Sequence, residues 1–175
     1  MSIYWIAQSI GIVAFFVGIT IFFHRSDRRF RGQLAVYSTM ISLHFFLMGA
    51  NVAGVSALLN TTRTVISMRT SSTVIMVVFI VMTLVLGISN FKHPMEIFPM
   101  AGTIISTWAL FRTKGLRTRY VVWFATACWT IYNIWLGSIG GSLTEASFLI
   151  INVLTIYRFR KLQRQGIDPF AIQAK

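Results

Sequence analysis

Glu145 is one of only four acidic residues in this chain of 175, and it falls inside an apolar stretch. An ionisable group at such a place is a functional candidate by default, because charge is costly away from water. A carboxylate there could bind a cation or carry a proton. The same residue also closes Ser142-Leu143-Thr144-Glu145, which matches the capping box that opens a helix. The two roles stand side by side. Glu96 follows Pro94 in what reads as a first helical turn, where both residue types are favoured. His44 lies in the middle of another apolar stretch. It could relay protons, since imidazole titrates near neutral pH, or stay neutral and donate to a backbone carbonyl. Arg63 lies about four residues inside the end of a third stretch. It could reach along its stem to the interface or meet an anion in a cytoplasmic vestibule.

Three asparagines, Asn60, Asn133 and Asn152, also interrupt apolar sequence. Amides in lipid must face protein or water. They either bridge helices or bind a polar solute. Trp108 and Trp129 lie deep enough in their stretches to stack a ring-shaped solute, whereas Trp5, Trp123 and Trp135 fall near the ends, where interfacial anchoring is common. The candidate solute-binding set is therefore Asn60, Asn152, His44, Asn133, Trp129 and Trp108, with Glu145 as the ion or proton site and Arg63 at the vestibule. The lone Cys128 forms no intrachain disulfide and no metal set. There is no P-loop, HExxH, CxxC pair or G-x-S-x-G, and no paired carboxylates on one helix face. No cofactor, metal or enzymatic reaction is expected.

The elements that must position these residues follow from composition. Mean hydropathy is +0.70, 55% of residues are hydrophobic and 11% are charged. Soluble domains average about 25% charged residues, so the solvent here is lipid. The net charge of +12 does not point to nucleic acid, because the charges gather at helix ends rather than on a basic face with interleaved aromatics. They read as orientation signals and contacts to anionic lipid. The clusters are Arg25/Arg28/Arg29/Arg31, Arg63/Arg69, Arg112/Lys114/Arg117/Arg119, and Arg158/Arg160/Lys161/Arg164 with Lys175. The connectors between them, Gly49–Gly54, Asn90–Pro94 and Gly137–Ser142, carry only Lys92. Lys and Arg accumulate in cytoplasmic loops, which puts the N-terminus outside and the C-terminus inside.

Seven spans are predicted, roughly 3–23, 33–49, 52–68, 73–89, 95–112, 120–137 and 142–158. At 1.5 Å per residue each is about 26–32 Å long, enough for a hydrocarbon core of about 30 Å. The first lacks a basic leader and reads as a helix that stays rather than a cleaved signal. The two ends of the chain share an order of features: apolar, Arg-rich loop, apolar, glycine turn, apolar. Gly11 matches Gly102, Arg29 and Arg31 match Arg117 and Arg119, and Gly49 matches Gly137. The expected fold is thus all-α, with a parallel three-plus-one-plus-three repeat. Residues 1–69 form one three-helix unit, 70–92 a linker helix, 93–160 the second unit and 161–175 a cytoplasmic tail. Parallel repeats occur in secondary transporters, with the site between repeats near the midplane.

Several short motifs resemble the YgjV family of bacterial inner-membrane proteins. They are Tyr4-Trp5-Ile6-Ala7-Gln8, Arg28-Arg29-Phe30, His44-Phe45-Phe46-Leu47, Thr107-Trp108-Ala109-Leu110-Phe111-Arg112, Gly137-Ser138-Ile139-Gly140-Gly141 and Gly166-Ile167-Asp168-Pro169-Phe170. The resemblance implies an inner-membrane location and no established activity. More distantly, the repeat plan is similar to SWEET sugar transporters and PQ-loop proteins. Gln8 has no preceding proline and Pro99 no following glutamine, so the likeness is one of architecture. SWEET transporters pair asparagines on the third helix of each unit. Asn60 and Asn152 resemble that pair loosely, since the Gly49/Gly137 spacing sets Thr64 rather than Asn60 opposite Asn152.

The function expected from these readings is a small carrier for a small polar solute, working by alternating access between two units. The alternative is a non-transporting membrane scaffold or accessory subunit. The expected partners are the bilayer, anionic lipid at the cytoplasmic face and a small polar solute; nucleic acid is not one, and homo-oligomerisation stays open. The topology has a direct test in single cysteines introduced at Ser2, Asn90, Lys114 and Lys175 in a Cys128-free background. An impermeant thiol reagent added outside should label the first two and spare the others. Labelling of position 114 from outside would overturn the orientation.

Overall fold

The computed structural model describes residues 2–20, 27–67, 69–113 and 115–166. Seven α-helices run through them: α1 (Ile3–Thr20), α2 (Asp27–Leu47), α3 (Asn51–Ser67), α4 (Thr73–Ser89), α5 (Ile97–Arg112), α6 (Gly115–Leu136) and α7 (Ile139–Arg164). A 3-10 turn at Pro94–Glu96 leads into α5. No strand occurs among the described residues. Arg25, Lys114, Lys175 and the rest of the tail beyond Gly166 lie outside them, as do the side chains of Arg28, Arg29 and Arg31.

Helix α4 coincides with its expected span, but three others are longer than their apolar cores. Helix α2 begins at Asp27 rather than 33, α6 at Gly115 rather than 120, and α7 runs from Ile139 to Arg164 rather than 142–158. Hydropathy marks the lipid-buried part of a helix, not its hydrogen-bonded length. Arg, Lys, Leu and Gln are good helix formers, and α7 continues through Arg158, Arg160, Lys161 and Arg164 as an exposed basic end.

The capping box expected at Ser142–Glu145 does not form. Helix α6 ends at Gly137, whose φ of 72° is left-handed. Ser138 N–H donates to Asn133 O at 3.0 Å and Gly137 N–H to Ile134 O at 3.1 Å, the paired bonds of a Schellman turn. Ser138 is then free to be the cap, and its Oγ accepts from Gly141 N–H at 3.1 Å. Helix α7 thus starts three residues earlier than the apolar pattern implies, and Glu145 moves into the helix interior. Gly49, with φ of 75°, ends α2 through the same pair of bonds, Gly49 N–H to Phe46 O and Ala50 N–H to Phe45 O. Glu96 does act as a cap: its Oε2 accepts from the backbone N–H of Lys92 at 2.5 Å and of His93 at 3.0 Å.

The helices pack in a ring, α1 on α2, α2 on α3, α3 on α5, α5 on α6, α6 on α7 and α7 back on α1. Helix α4 sits outside it against α3 and α5. Its outer face, Val74, Val77, Val78, Val81, Val85 and Ile88, is exposed and wholly apolar. Ile3, Val13, Phe16, Ile134, Ile150 and Leu154 continue that apolar exterior around the ring. Soluble monomers rarely expose such large contiguous apolar surface. By length and composition, α1 and α7 are long and apolar enough to cross a membrane, and 36–47 and α4 are shorter apolar stretches.

Glycine lets α1 and α7 meet. A Cβ added at Gly140 would stand 2.1 Å from the carbonyl carbon and oxygen of Gly11, so backbone lies against backbone. Small residues allow this approach in membranes. Gly140→Ala must push the helices apart and should cost about 1–3 kcal/mol, the usual scale of overpacking. Gly87→Ala should cost less, because its new methyl meets only the flexible end of Met100. Thermal unfolding of the two purified variants in detergent checks the order; equal losses would contradict it.

Candidate functional site

A cavity of about 210 Å³ lies inside the ring. Helix α2 contributes Tyr37, Ser38, Ile41 and Phe45 to its wall, and α3 contributes Ala57, Asn60, Thr61, Arg63 and Thr64. Ser106 comes from α5, Val122, Ala125, Thr126 and Trp129 from α6, and Glu145 and Phe148 from α7. Four of the predicted site residues, Asn60, Arg63, Trp129 and Glu145, therefore share one cavity.

Arg63 is the most constrained of them. It is only 4% exposed. Its Nη1 donates to Thr103 O at 3.0 Å, Ser106 Oγ at 2.7 Å and Thr107 Oγ1 at 2.8 Å, all on α5. The guanidinium thus does not reach back to an interface; it ties α3 to α5. Its Nε is buried without a partner, and Nη2 makes no hydrogen bond among the described residues. Neither Arg63 nor Glu145 forms an ion pair among those residues. Asn60 Oδ1 is likewise buried and unpartnered. An unpaired buried polar atom costs about 1–3 kcal/mol, and more when charged. These groups therefore hold unmet hydrogen-bonding and charge capacity around a single space.

The aromatic part of the wall is ordered by stacking. Phe45 and Trp129 lie near-parallel with ring centroids 5.8 Å apart, and Tyr132 meets Phe45 edge-on at 6.3 Å. Phe148 leans on Tyr37 at 6.3 Å. Gly102 makes room for Trp129, since a Cβ there would lie 2.9 Å from the indole.

The other predicted residues lie elsewhere. His44 is fully buried at the end of the ring that carries the Gly49 and Gly137 turns. Its Nδ1 is 2.7 Å from Ala7 O and its Nε2 is 2.7 Å from Ser138 Oγ. A carbonyl can only accept, so Nδ1 carries the proton and the Ser138 hydroxyl donates to Nε2. Beside it Gln8 donates through Nε2 to Gly137 O at 2.6 Å and accepts through Oε1 from Ile139 N–H at 3.0 Å. Together the two side chains lock α1, α2 and the α6–α7 turn. Asn133 donates to Trp129 O at 2.8 Å, one turn back on its own helix. Asn152 donates to Arg119 O at 3.1 Å and joins α7 to α6. Trp108 is 43% exposed on the outside of α5. Trp135 stacks on His93 at 4.5 Å.

Sequence reasoning missed Tyr37, Phe45 and Phe148 as cavity walls, and Gln8 as a structural residue. Aromatics in apolar stretches carry no signal of which way they face. Gln8 offered one, a lone amide near the start of an apolar helix, but its partner is the distant turn at 137–139.

A family model described as a bacterial inner membrane protein, Imp-YgjV, matches residues 5–163. The inner membrane protein YgjV of Escherichia coli (strain K12) is 54% identical over 173 residues, covering 99% of this chain and 94% of that protein. The chain belongs to the YgjV family of bacterial inner-membrane proteins. Its apolar exterior is therefore a lipid-facing one. No solved structure matches it.

His44→Leu should lower stability by about 1 kcal/mol, in the range measured for hydrogen bonds between membrane helices, and should leave the central cavity unchanged. Gln8→Leu should act in the same direction, and the double variant should lose less than the two losses added, because both side chains secure one turn. Thermal unfolding of the three variants measures this. Full additivity would show the two side chains to be independent.

Proposed function

We propose that this protein is a small carrier that moves a small polar solute by alternating access between two parallel three-helix units, α1–α3 and α5–α7. The observation that carries the reading is the cavity within the ring, whose wall holds Arg63, Asn60 and Glu145, with Arg63 Nε and Asn60 Oδ1 left without a partner among the described residues. Arg63 does bond helix to helix through Nη1, as a purely structural interior would have it, but its Nε and Asn60 Oδ1 are left over.

The repeat draws support from the register of the wall. At the sequence spacing that separates Gly49 from Gly137, Tyr37 pairs with Ala125, Ser38 with Thr126, Ile41 with Trp129, Ala57 with Glu145 and Asn60 with Phe148. Both members of these five pairs line the cavity, whereas Phe45, Thr61, Arg63, Thr64 and Ser106 line it without their counterparts. The ring is compatible with the same two-fold relation, because α3 meets α5 as α7 meets α1. These two seams are where one unit would rock against the other, one held by Arg63 and the other by Gly11 and Gly140. The similarity to SWEET and PQ-loop proteins belongs to this proposal too. So does the seven-span topology with its N-terminus outside, for which the exposed basic end of α7 is a cytoplasmic anchor for anionic lipid. The scaffold alternative draws on His44, Gln8 and Asn152, whose hydrogen bonds serve packing. In neither reading is chemistry on a substrate proposed.

The two third-helix asparagines separate the readings. Asn60→Leu should abolish binding of any hit from a solute-library thermal-shift screen while the protein unfolds near the wild-type temperature. Asn152→Leu should keep the binding and lose about 0.6–1.7 kcal/mol of stability, as interhelical bonds in membranes do. Binding that survives Asn60→Leu unchanged would remove the carrier site from this cavity.

A further inference from the structure

We infer that the central cavity is a site for a small zwitterion, a molecule carrying an ammonium and a carboxylate a few bonds apart. The inference rests on the carrier reading and names its solute class.

Two ionisable side chains of opposite type line the same cavity, the base Arg63 from α3 and the acid Glu145 from α7. Among the described residues neither forms an ion pair, with the other or with a third group. Leaving either charge unpaired away from water is strongly unfavourable. The fold nonetheless holds Arg63 rigidly, with Nη1 fixed by three oxygens of α5, while Nη2 has no hydrogen-bond partner among the described residues. A guanidinium edge so oriented fits a carboxylate oxygen. At the other wall Glu145 stands beside the aromatic group of Tyr37 and Phe148. Aromatic faces next to a carboxylate attract ammonium groups, methylated ones included.

Single charges fit worse. A monocarboxylate would satisfy Arg63 but bring a second negative charge towards Glu145. A monoamine would satisfy Glu145 and face Arg63. Only a molecule with both ends meets both groups, and the separation of the two side chains sets its length. Asn60, whose Oδ1 is buried and unpartnered, belongs to the same wall; turned towards the cavity, its amide would accept a further N–H or O–H and favour primary amines or hydroxylated members of the class.

The test uses the purified full-length protein in detergent. The probes are an amino-acid panel and trimethylglycine, each matched with the acid lacking the amine and the amine lacking the acid. At least one zwitterion should raise the unfolding temperature saturably, and its matched acid and amine should not. Glu145→Gln should weaken that binding roughly tenfold or more, the scale of one charge-assisted contact, and should fold, because Glu145 makes no hydrogen bond among the described residues. Arg63→Gln should also lose it. Should that variant unfold, the Glu145→Gln affinity and the matched single-charge probes decide on their own. No shift with any zwitterion, or equal binding of the matched acid or amine, overturns the inference. If an uncharged solute binds instead and Asn60→Leu removes it, the carrier reading stands and the zwitterion falls. If a zwitterion binds but reconstituted vesicles show no flux of it, the site stands and the carrier reading falls.

Discussion

The contact between α1 and α7 is the constraint on which the rest depends. A chain of helices joined by short turns packs readily with its sequence neighbours. That gives a row, not an enclosure. The row closes because Gly11 and Gly140 bring two backbones together at a distance no side chain allows, and because Gln8 and His44 satisfy the exposed carbonyls of that corner. In lipid there is no water to satisfy those groups, so the hydrogen bonds and the close approach support each other. Only a closed ring has an inside.

Once the inside exists, the polar groups divide into two classes by what they can reach. His44, Gln8 and Asn152 find backbone partners across helices and hold the frame. Arg63 belongs to both classes, anchored to α5 through one nitrogen and left open through another. Glu145 and Asn60 belong to the cavity wall, and Asn60 Oδ1 has no partner among the described residues. The division follows from geometry alone. Groups near the turns lie close to free carbonyls and N–H groups at helix ends. The division is incomplete, since Asn133 Oδ1 and Asn152 Oδ1 are also buried without a partner.

The turns explain how one register error relocates a residue. A capping box at Ser142 would have put Glu145 at a helix end, with its carboxylate spent on the backbone. The Schellman turn at Gly137 moves the cap to Ser138, and Glu145 falls two turns into α7. Glu96 shows the opposite case. Pro94 fixes the turn that precedes it, and its carboxylate is used by the Lys92 and His93 amides. Two similar glutamates in similar stretches thus serve different ends because of where the preceding glycine or proline stops the chain.

The resemblance to the YgjV family carried the inner-membrane class; the amino-acid sequence by itself determined the helices and the lipid solvent. Those follow from local quantities: apolar runs of spanning length, left-handed glycines after them, and too few charges for a water-facing surface. It also pointed to Asn60, Arg63, Trp129 and Glu145 as groups too costly to be idle. Tertiary structure alone decided that these four share a cavity while His44, Asn133, Asn152 and Trp108 do not. The physical reason is that polarity is a property of a residue, whereas facing is a property of a packed pair. A rotation of about 100° per residue separates the inside of a helix from its outside, and in a chain apolar on every face no hydrophobic stripe marks which side is which. That choice waited on Gly11 meeting Gly140 and on Arg63 reaching α5, contacts between residues far apart in the chain.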